Sequence, residues 1–150
     1  MHRLIDGWIR TGLSAGALVA VGACAAAAPH PEISLQELVG RAAADHSERV
    51  SVALFRFTPG TVARATYDKL GEEIFIVAHG HGEVLRGADI IPVGPGSVIR
   101  VPALVIRSLR VTGVEPFEFY AITAPAWTED DDVEVPSPAG WGNPNARPGG

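Results

Sequence analysis

The sequence predicts an all-β domain over residues 48–125 of a chain of 150 residues. Two observations favour this fold class. Apolar and polar residues alternate over several short runs, which is typical of strands with one buried face. Glycine and proline separate these runs at short intervals, as they do in β-sandwiches and small barrels. The apolar fraction of 47% is sufficient to build one buried core.

The first 24 residues resemble the export signal of a lipoprotein. Arg3 and Arg10 precede an uncharged stretch of small and apolar residues from 11 to 23. This is the arrangement of a signal peptide. The run from Val21 to Cys24 resembles the lipobox of bacterial lipoproteins, whose cysteine becomes N-terminal and lipid-modified. The resemblance implies removal of residues 1–23 and a protein anchored outside the cytoplasm through Cys24. Cleavage within residues 25–28 followed by secretion, and an uncleaved anchor helix, remain as alternatives.

Residues 24–47 are expected to form a spacer followed by one short helix. The run from Pro29 to Pro31 is stiff, and the run from Ser34 to Glu37 has the pattern of a helix-capping box. A short apolar stripe follows at Leu35, Leu38 and Val39. The pattern therefore predicts a helix over residues 34–44 that packs on the barrel.

From residue 50 onward, the period changes from helical to alternating. Turn signals such as Thr58-Pro59-Gly60 and Gly94-Pro95-Gly96 punctuate the runs. The strands that this pattern predicts are 50–57, 61–67, 72–78, 83–86, 89–93, 97–101, 104–111 and 117–123.

Residues 126–150 differ in composition from the predicted barrel. An acidic run follows Trp127, and the stretch from 136 to 150 is dominated by proline, glycine, asparagine and serine. Such a composition cannot supply a core of its own, so we expect an irregular tail. Trp127 and Trp141 indicate that part of the tail folds back over the barrel.

The stretch from Gly60 to Gly80 resembles the first conserved motif of the cupins. Gly60, Glu73 and Gly80 match the first glycine, the glutamate and the closing glycine without insertion or deletion. Thr66 and Asp68 stand at the positions of the two motif histidines. The resemblance implies a double-stranded β-helix, the jelly-roll barrel of the cupins.

A second cupin motif is matched in part by the stretch from Gly96 to Val111. Gly96 and Pro102 stand where the motif has glycine and proline, whereas Leu104 replaces a glycine. Arg107 stands at the histidine position and Val111 at the asparagine position. The frame of both motifs is present, but most of the metal ligands are replaced.

The cupin resemblance implies that Thr66, Asp68, Glu73 and Arg107 face one another, since alternate residues of a strand point the same way. A guanidinium has no lone pair to offer a metal and keeps its proton in proteins. We therefore expect a site without metal or cofactor, in which Arg107 is the counter-charge of both carboxylates. Arg64 shares strand parity with Thr66 and Asp68 and is expected to assist.

Two interpretations of this group remain open at the level of sequence. It is a buried ion pair that holds strands in register, or it is a polar pocket for a small molecule. In the second interpretation Phe55, Phe75 and Tyr120 are candidates for apolar walls. His79 and His81 form another His-x-His pair, which we interpret as an exposed turn because it coincides with the closing glycine of the motif. No grouping predicts a catalytic nucleophile.

The formal net charge is −5, and the sequence contains no block of basic residues. This excludes an ordinary nucleic-acid surface. We expect a lipid-anchored, extracytoplasmic cupin-domain protein that binds a small polar or anionic molecule, or serves as an accessory envelope protein. One alternative is a cupin-class enzyme, either an isomerase or epimerase with Glu73 or Asp68 as base or a metal-dependent oxygenase with an atypical site. Another is a structural envelope protein that forms a homodimer through sheet faces.

Overall fold

The computed structural model describes residues 31–141, which form two sheets of antiparallel strands with one parallel pair at an edge. The all-β prediction is confirmed. The strands of this part of the chain are β1 Ile33–Gly40, β2 Asp45–His46, β3 Ser51–Phe57, β4 Thr66–Asp68, β5 Glu72–His79, β6 Gly82–Arg86, β7 Asp89–Val93, β8 Val98–Val101, β9 Arg107–Val111, β10 Phe117–Ala124 and β11 Asp132–Glu134.

The larger sheet has the strand order β2-β1-β3-β10-β5-β8, and the smaller sheet has the order β11-β4-β9-β6-β7. In the central strands, buried and partly exposed residues alternate strictly. In β10, Phe117, Phe119, Ala121 and Thr123 are buried, whereas the residues between them are partly exposed. Because successive side chains of a strand point to opposite faces, each central strand gives one face to the core and one to the outside.

The core between the sheets is apolar at one end and polar at the other. Five phenylalanines fill the apolar part, and the rings of Phe55 and Phe119 stack with their centroids 5.2 Å apart. At the other end of the same strands, Ser51, Thr123 and Glu73 lie side by side in register and are buried. This division places the charged side chains of the interior at one end of the barrel.

The predicted helix over residues 34–44 is wrong, because residues 33–40 form β1 at the side of the larger sheet. Ile33 and Leu35 are partly buried against the core, whereas Ser34 and Gln36 are exposed, so the true period is two. The antiparallel pairing with β3 shifts register between Glu37 and Val39. At this bulge the apolar residues Leu38 and Val39 follow one another, and this interruption of the alternation resembled a helical stripe.

The tail is more ordered than its composition predicts, as far as Trp141. β11 pairs with β4, and the indole of Trp141 is only 2% exposed. The guanidinium of Arg110 lies 4.4 Å from the centroid of the Trp141 ring and also donates to the carbonyl of Gly140. The predicted return of the tail to the barrel is therefore confirmed for this segment.

The predicted signal, Cys24 and the last nine residues lie outside the described residues. Within residues 31–141, no helix has the length and apolar character needed to cross a membrane.

Candidate functional site

A buried arginine lies at the centre of the polar end of the barrel. Arg107 Nη1 donates to Thr66 Oγ1 over 2.9 Å, and Nη2 donates to Asp68 Oδ1 over 3.2 Å. Its Nε donates to Glu73 Oε2, and Nη2 also reaches Asp132 Oδ1 at 3.5 Å. We call these five residues the arginine cluster. The prediction that Thr66, Asp68, Glu73 and Arg107 face one another is confirmed.

Strand register explains why these side chains meet. Thr66 on β4 is the register partner of Arg107 on β9, and Asp68 is the register partner of Asp132 on β11. Glu73 reaches across from β5 of the larger sheet. The guanidinium therefore connects the two sheets, because its planar fork has donors in several directions.

Burial and charge set the electrostatics of the cluster. Arg107 is 1% exposed, and Asp68 and Glu73 are each 3% exposed. Burial raises the pKa of Glu73 to about 7 and that of Asp68 to about 6, although the nearby Arg107 acts in the opposite direction. Burial acts to lower the pKa of Arg107, but the carboxylates around it outweigh this effect and raise it. Three carboxyls share one guanidinium, so the cluster favours holding a proton near neutral pH.

The residues present do not fit the divalent metal that the cupin motif implies. In the part of the chain that the structure describes, no three His, Cys, Asp or Glu side chains are arranged to hold a metal ion. The guanidinium of Arg107 contacts the carboxylates from the histidine position of the second motif. A fixed positive charge there opposes a cation.

Arg64 contacts a residue outside the arginine cluster. It lies before β4, and its Nη1 pairs with Glu134 Oε2 at the partly exposed side of the barrel. The assumed parity fails because Ala65 and Thr66 are both buried, which breaks the alternation between Arg64 and Thr66. Four of the five sequence-predicted binding residues thus come together, and Arg64 has a different contact.

Two other sequence interpretations can be compared with the structure. Phe55 and Phe75 lie in the core, but Tyr120 belongs to the outer face of β10, where it is the register partner of Leu54 and Ile76. His79 is exposed at the end of β5, and its ring contacts the carbonyl of Pro116, as expected for a turn.

Sequence reasoning missed Asp132, which closes the cluster from the C-terminal side. The residues around it attach the acidic run to the turn after β4. The side chain of Asp131 accepts hydrogen bonds from the backbone of Leu70 and Gly71, over 2.8 and 2.9 Å. The only signal in the sequence was the acidic run itself, which on its own more often indicates a solvated tail.

The backbone supports the alignment of the chain with the two cupin motifs. Gly60, Gly80 and Gly96 have φ angles of 82°, 74° and 87°, which favour glycine. Leu104, at the position of the remaining motif glycine, keeps the same conformation with a φ of 64°. The turns of the motif are therefore present even where its residue is not.

Comparison with solved structures decides the fold. A cupin superfamily protein from Desulfitobacterium hafniense DCB-2 matches with a TM-score of 0.53 and 23% identity, over 65% of this chain and 81% of that one. The chain has the cupin fold. No family model and no curated protein matches the sequence.

Two further cupin-fold structures are similar to this chain. KdgF from a Halomonas species has a TM-score of 0.55 and 18% identity, over 65% of this chain and 82% of that one. The DMSP lyase DddQ from Ruegeria pomeroyi DSS-3 has a TM-score of 0.59 and 18% identity, and the match covers 69% of this chain. It spans only 50% of the lyase. At these identities the likeness shows the fold alone.

Proposed function

We propose that this cupin domain binds a small molecule that carries a carboxylate, and that the ligand takes the place of Asp132 at Arg107. The contact between Arg107 Nη2 and Asp132 Oδ1, at 3.5 Å, carries the proposal because it is the longest of the four hydrogen bonds that Arg107 donates within the arginine cluster. It is made by a strand of three residues in the C-terminal segment. Exchange of one carboxylate for another leaves the charge of the cluster unchanged, and a planar guanidinium suits a carboxylate.

Because the cluster is buried, a ligand carboxylate must replace Asp132 at Arg107 and cannot simply bind beside it. Arg107 is 1% exposed, and three carboxyls already surround it, so a fourth anion would be repelled. β11 must therefore move away from β4, to which three register pairs hold it. Moving β11 away from β4 costs free energy, so only a fraction of the molecules can bind the ligand at any time. The apparent affinity is reduced in proportion to that fraction.

The remaining side chains of the cluster favour a ligand with hydroxyl groups beside its carboxylate. Thr66 offers a hydroxyl that both donates and accepts, and Asp68 and Glu73 accept hydrogen bonds when ionised. Small hydroxy acids and sugar acids combine these groups, whereas neutral sugars lack the carboxylate.

A thermal-shift screen followed by calorimetric titration tests the proposal. The panel contains small carboxylic acids, sugar acids and neutral sugars. We expect stabilisation by the acids, its loss in Arg107→Lys, and binding about tenfold tighter or more in Asp132→Asn, which lacks the internal competitor. Asp130→Asn is the matched control from the same acidic run and should bind like the wild type. The proposal fails if no acid stabilises either the wild type or Asp132→Asn, or if neutral sugars stabilise the protein equally.

We further propose that the domain is exported and held at the membrane through lipid on Cys24. The lipobox-like run from Val21 to Cys24 supports this location. Several acyl chains on one cysteine suffice for stable anchoring, at about 0.8 kcal/mol per buried methylene. Labelling of cells with a fatty-acid probe should mark the wild type and not Cys24→Ser. Label-free protein in the medium would support simple secretion instead.

The buried carboxyl of Glu73 favours an enzyme as the second candidate. Burial raises the pKa of Glu73 to about 7, which suits a general base near neutral pH. Such a base would remove a proton from carbon in an isomerisation or epimerisation. Ligands found in the screen can be incubated in deuterated water and followed by NMR. Deuterium incorporation that is lost in Glu73→Gln would support the enzyme, and its absence from every bound ligand would leave a binding protein.

A further inference from the structure

The indole of Trp127 carries a hydrogen-bond donor for which the described part of the chain supplies no acceptor. Its Nε1 is shielded from solvent, yet it makes no hydrogen bond with residues 31–141. A buried donor without a partner costs free energy, and such groups are rare in native proteins. A ligand that supplies the acceptor would explain this exception.

The backbone of Trp127 is attached to the polar end of the barrel. Its N–H donates to Ser51 Oγ over 3.1 Å, and Ser51 begins the buried row that continues through Thr123 to Glu73. The preceding residue, Ala126, is only 3% exposed. Trp127 is thus held on the larger sheet and keeps this contact when β11 moves away from β4.

The residue after Trp127 connects this position to Asp132. The carbonyl oxygen of Thr128 accepts hydrogen bonds from the backbone N–H of Asp131, over 3.1 Å, and of Asp132, over 3.3 Å. A ligand that replaces Asp132 at Arg107 therefore occupies space next to Trp127 and Thr128. Departure of Asp132 also removes one donor from the Thr128 carbonyl oxygen.

We propose that Trp127 is a binding residue of this site, and that its indole N–H donates to a hydroxyl oxygen beside the ligand carboxylate. This inference rests on the proposed function and assigns the choice between hydroxy acids and plain acids to one side chain. A hydroxyl both donates and accepts, so it can accept from Trp127 and donate to the carbonyl oxygen of Thr128. Arg107 and Trp127 then hold two adjacent groups of one ligand.

Lactate and propionate are the matched probes, because they differ only in the hydroxyl beside the carboxylate. Calorimetric titration of the full-length chain in mild detergent compares the two acids in the wild type and in Trp127→Phe. We expect the wild type to bind lactate about fivefold more tightly or better, which is the difference that one hydrogen bond makes. Trp127→Phe should lose this preference, while its affinity for propionate stays the same.

Tyr120→Phe is the matched control, since it also removes one donor from an aromatic side chain. Tyr120 lies on the outer face of β10, where it is the register partner of Leu54 and Ile76. This variant should keep the preference for lactate. Thermal melts show whether both variants fold. A merely structural role of Trp127 would lower the melting temperature of Trp127→Phe and leave its preference for lactate intact.

The indole proton of Trp127 gives a second measurement, which is made on the wild type. The chain has three tryptophans, so NMR of an isotope-labelled sample gives three indole N–H signals, and Trp127→Phe identifies one of them by its loss. Lactate should move this signal downfield, because the N–H gains an acceptor, and propionate should not. An indole signal that lactate leaves in place overturns the inference.

The outcomes separate this inference from the proposed function. If Arg107→Lys abolishes binding of both acids but Trp127→Phe still prefers lactate, the proposed function stands and this inference is wrong. The same conclusion follows if the wild type binds both acids equally. If neither acid binds to the wild type or to Asp132→Asn, this inference is wrong, whereas the wider panel of acids decides the proposed function.

Discussion

Replacement of Arg107 by methionine is the most direct test of the electrostatics of this barrel. The substitution keeps a long side chain but removes the positive charge that Asp68, Glu73 and Asp132 share. Asp68 and Glu73 would then be buried without a cation. We expect a large loss of stability, and one that grows with pH.

The magnitude follows from the burial of the group. Removal of one partner from a buried ion pair costs about 3 to 5 kcal/mol, most of it the penalty of the charge left behind. For a domain of about 100 residues this lowers the melting temperature by about 12 to 20 °C. Arg41→Met is the matched control, because Arg41 pairs with Glu48 at the surface, where both side chains are exposed. We expect it to cost less than about 1 kcal/mol.

The pH dependence distinguishes this explanation from loss of packing. Without Arg107, the pKa values of Asp68 and Glu73 rise further, and a buried carboxyl that must stay protonated costs about 1.4 kcal/mol per pH unit above its unfolded pKa. The wild type should level off above about pH 7, whereas Arg107→Met should continue to lose stability. Melts from about pH 5 to pH 9 measure this difference. A loss below about 1 kcal/mol, or one that is the same at every pH, would refute the reasoning.

Three further predictions follow from the same structure, each measured by thermal or denaturant unfolding. The wild type should lose stability as pH rises from about 4.5 to about 7, since the folded pKa of Glu73 is raised to about 7 from 4.5, and Glu73→Gln should flatten this slope. An unchanged slope in that variant would assign the pH dependence to other groups. Trp141→Ala should cost about 3 kcal/mol or more, because the side chain is 2% exposed and stacks with Arg110. A loss within error would mean that the tail is not docked in solution. Gly80→Ala should cost more than about 2 kcal/mol, because its φ is 74° and a Cβ would meet the carbonyl oxygen of Pro116, whereas Leu104→Gly should change stability by less than about 1 kcal/mol.

The sequence predicted the barrel and most of its site because both depend on local patterns. Alternation placed Glu73 on the buried face of β5 together with Phe75 and Val77. The motif frame then related this strand to Arg107, 34 residues away. Where the alternation of apolar residues and the spacing of the motif agree, the direction of a side chain can be predicted from the sequence.

The features that the sequence did not predict depend on pairing between distant segments. β1 carries a capping-box pattern, yet pairing with β3 satisfies its backbone and overrides that local preference. Asp132 contacts Arg107 only because β11 pairs with β4, which lies more than 60 residues earlier in the chain. Arg64 was misplaced by a single break in alternation before Thr66, since a slip of one residue sends a side chain to the other face.

Charge balance explains how one guanidinium can stand at a position where the cupin motif has a metal-binding histidine. Two of the three carboxyls around Arg107 have raised pKa values, about 6 for Asp68 and about 7 for Glu73, so near neutral pH the group retains a proton for part of the time. Arg107 and that proton together approach the charge of a divalent ion. The proton on the carboxyls can be released, whereas the guanidinium of Arg107 keeps its positive charge. A ligand carboxylate that exchanges with Asp132 would therefore meet a site whose charge adjusts by one proton, and its affinity should fall as pH rises through about 7, as Glu73 ionises. Titration at about pH 6 and pH 8 measures this change, and equal affinity at both would show that Glu73 does not face the ligand.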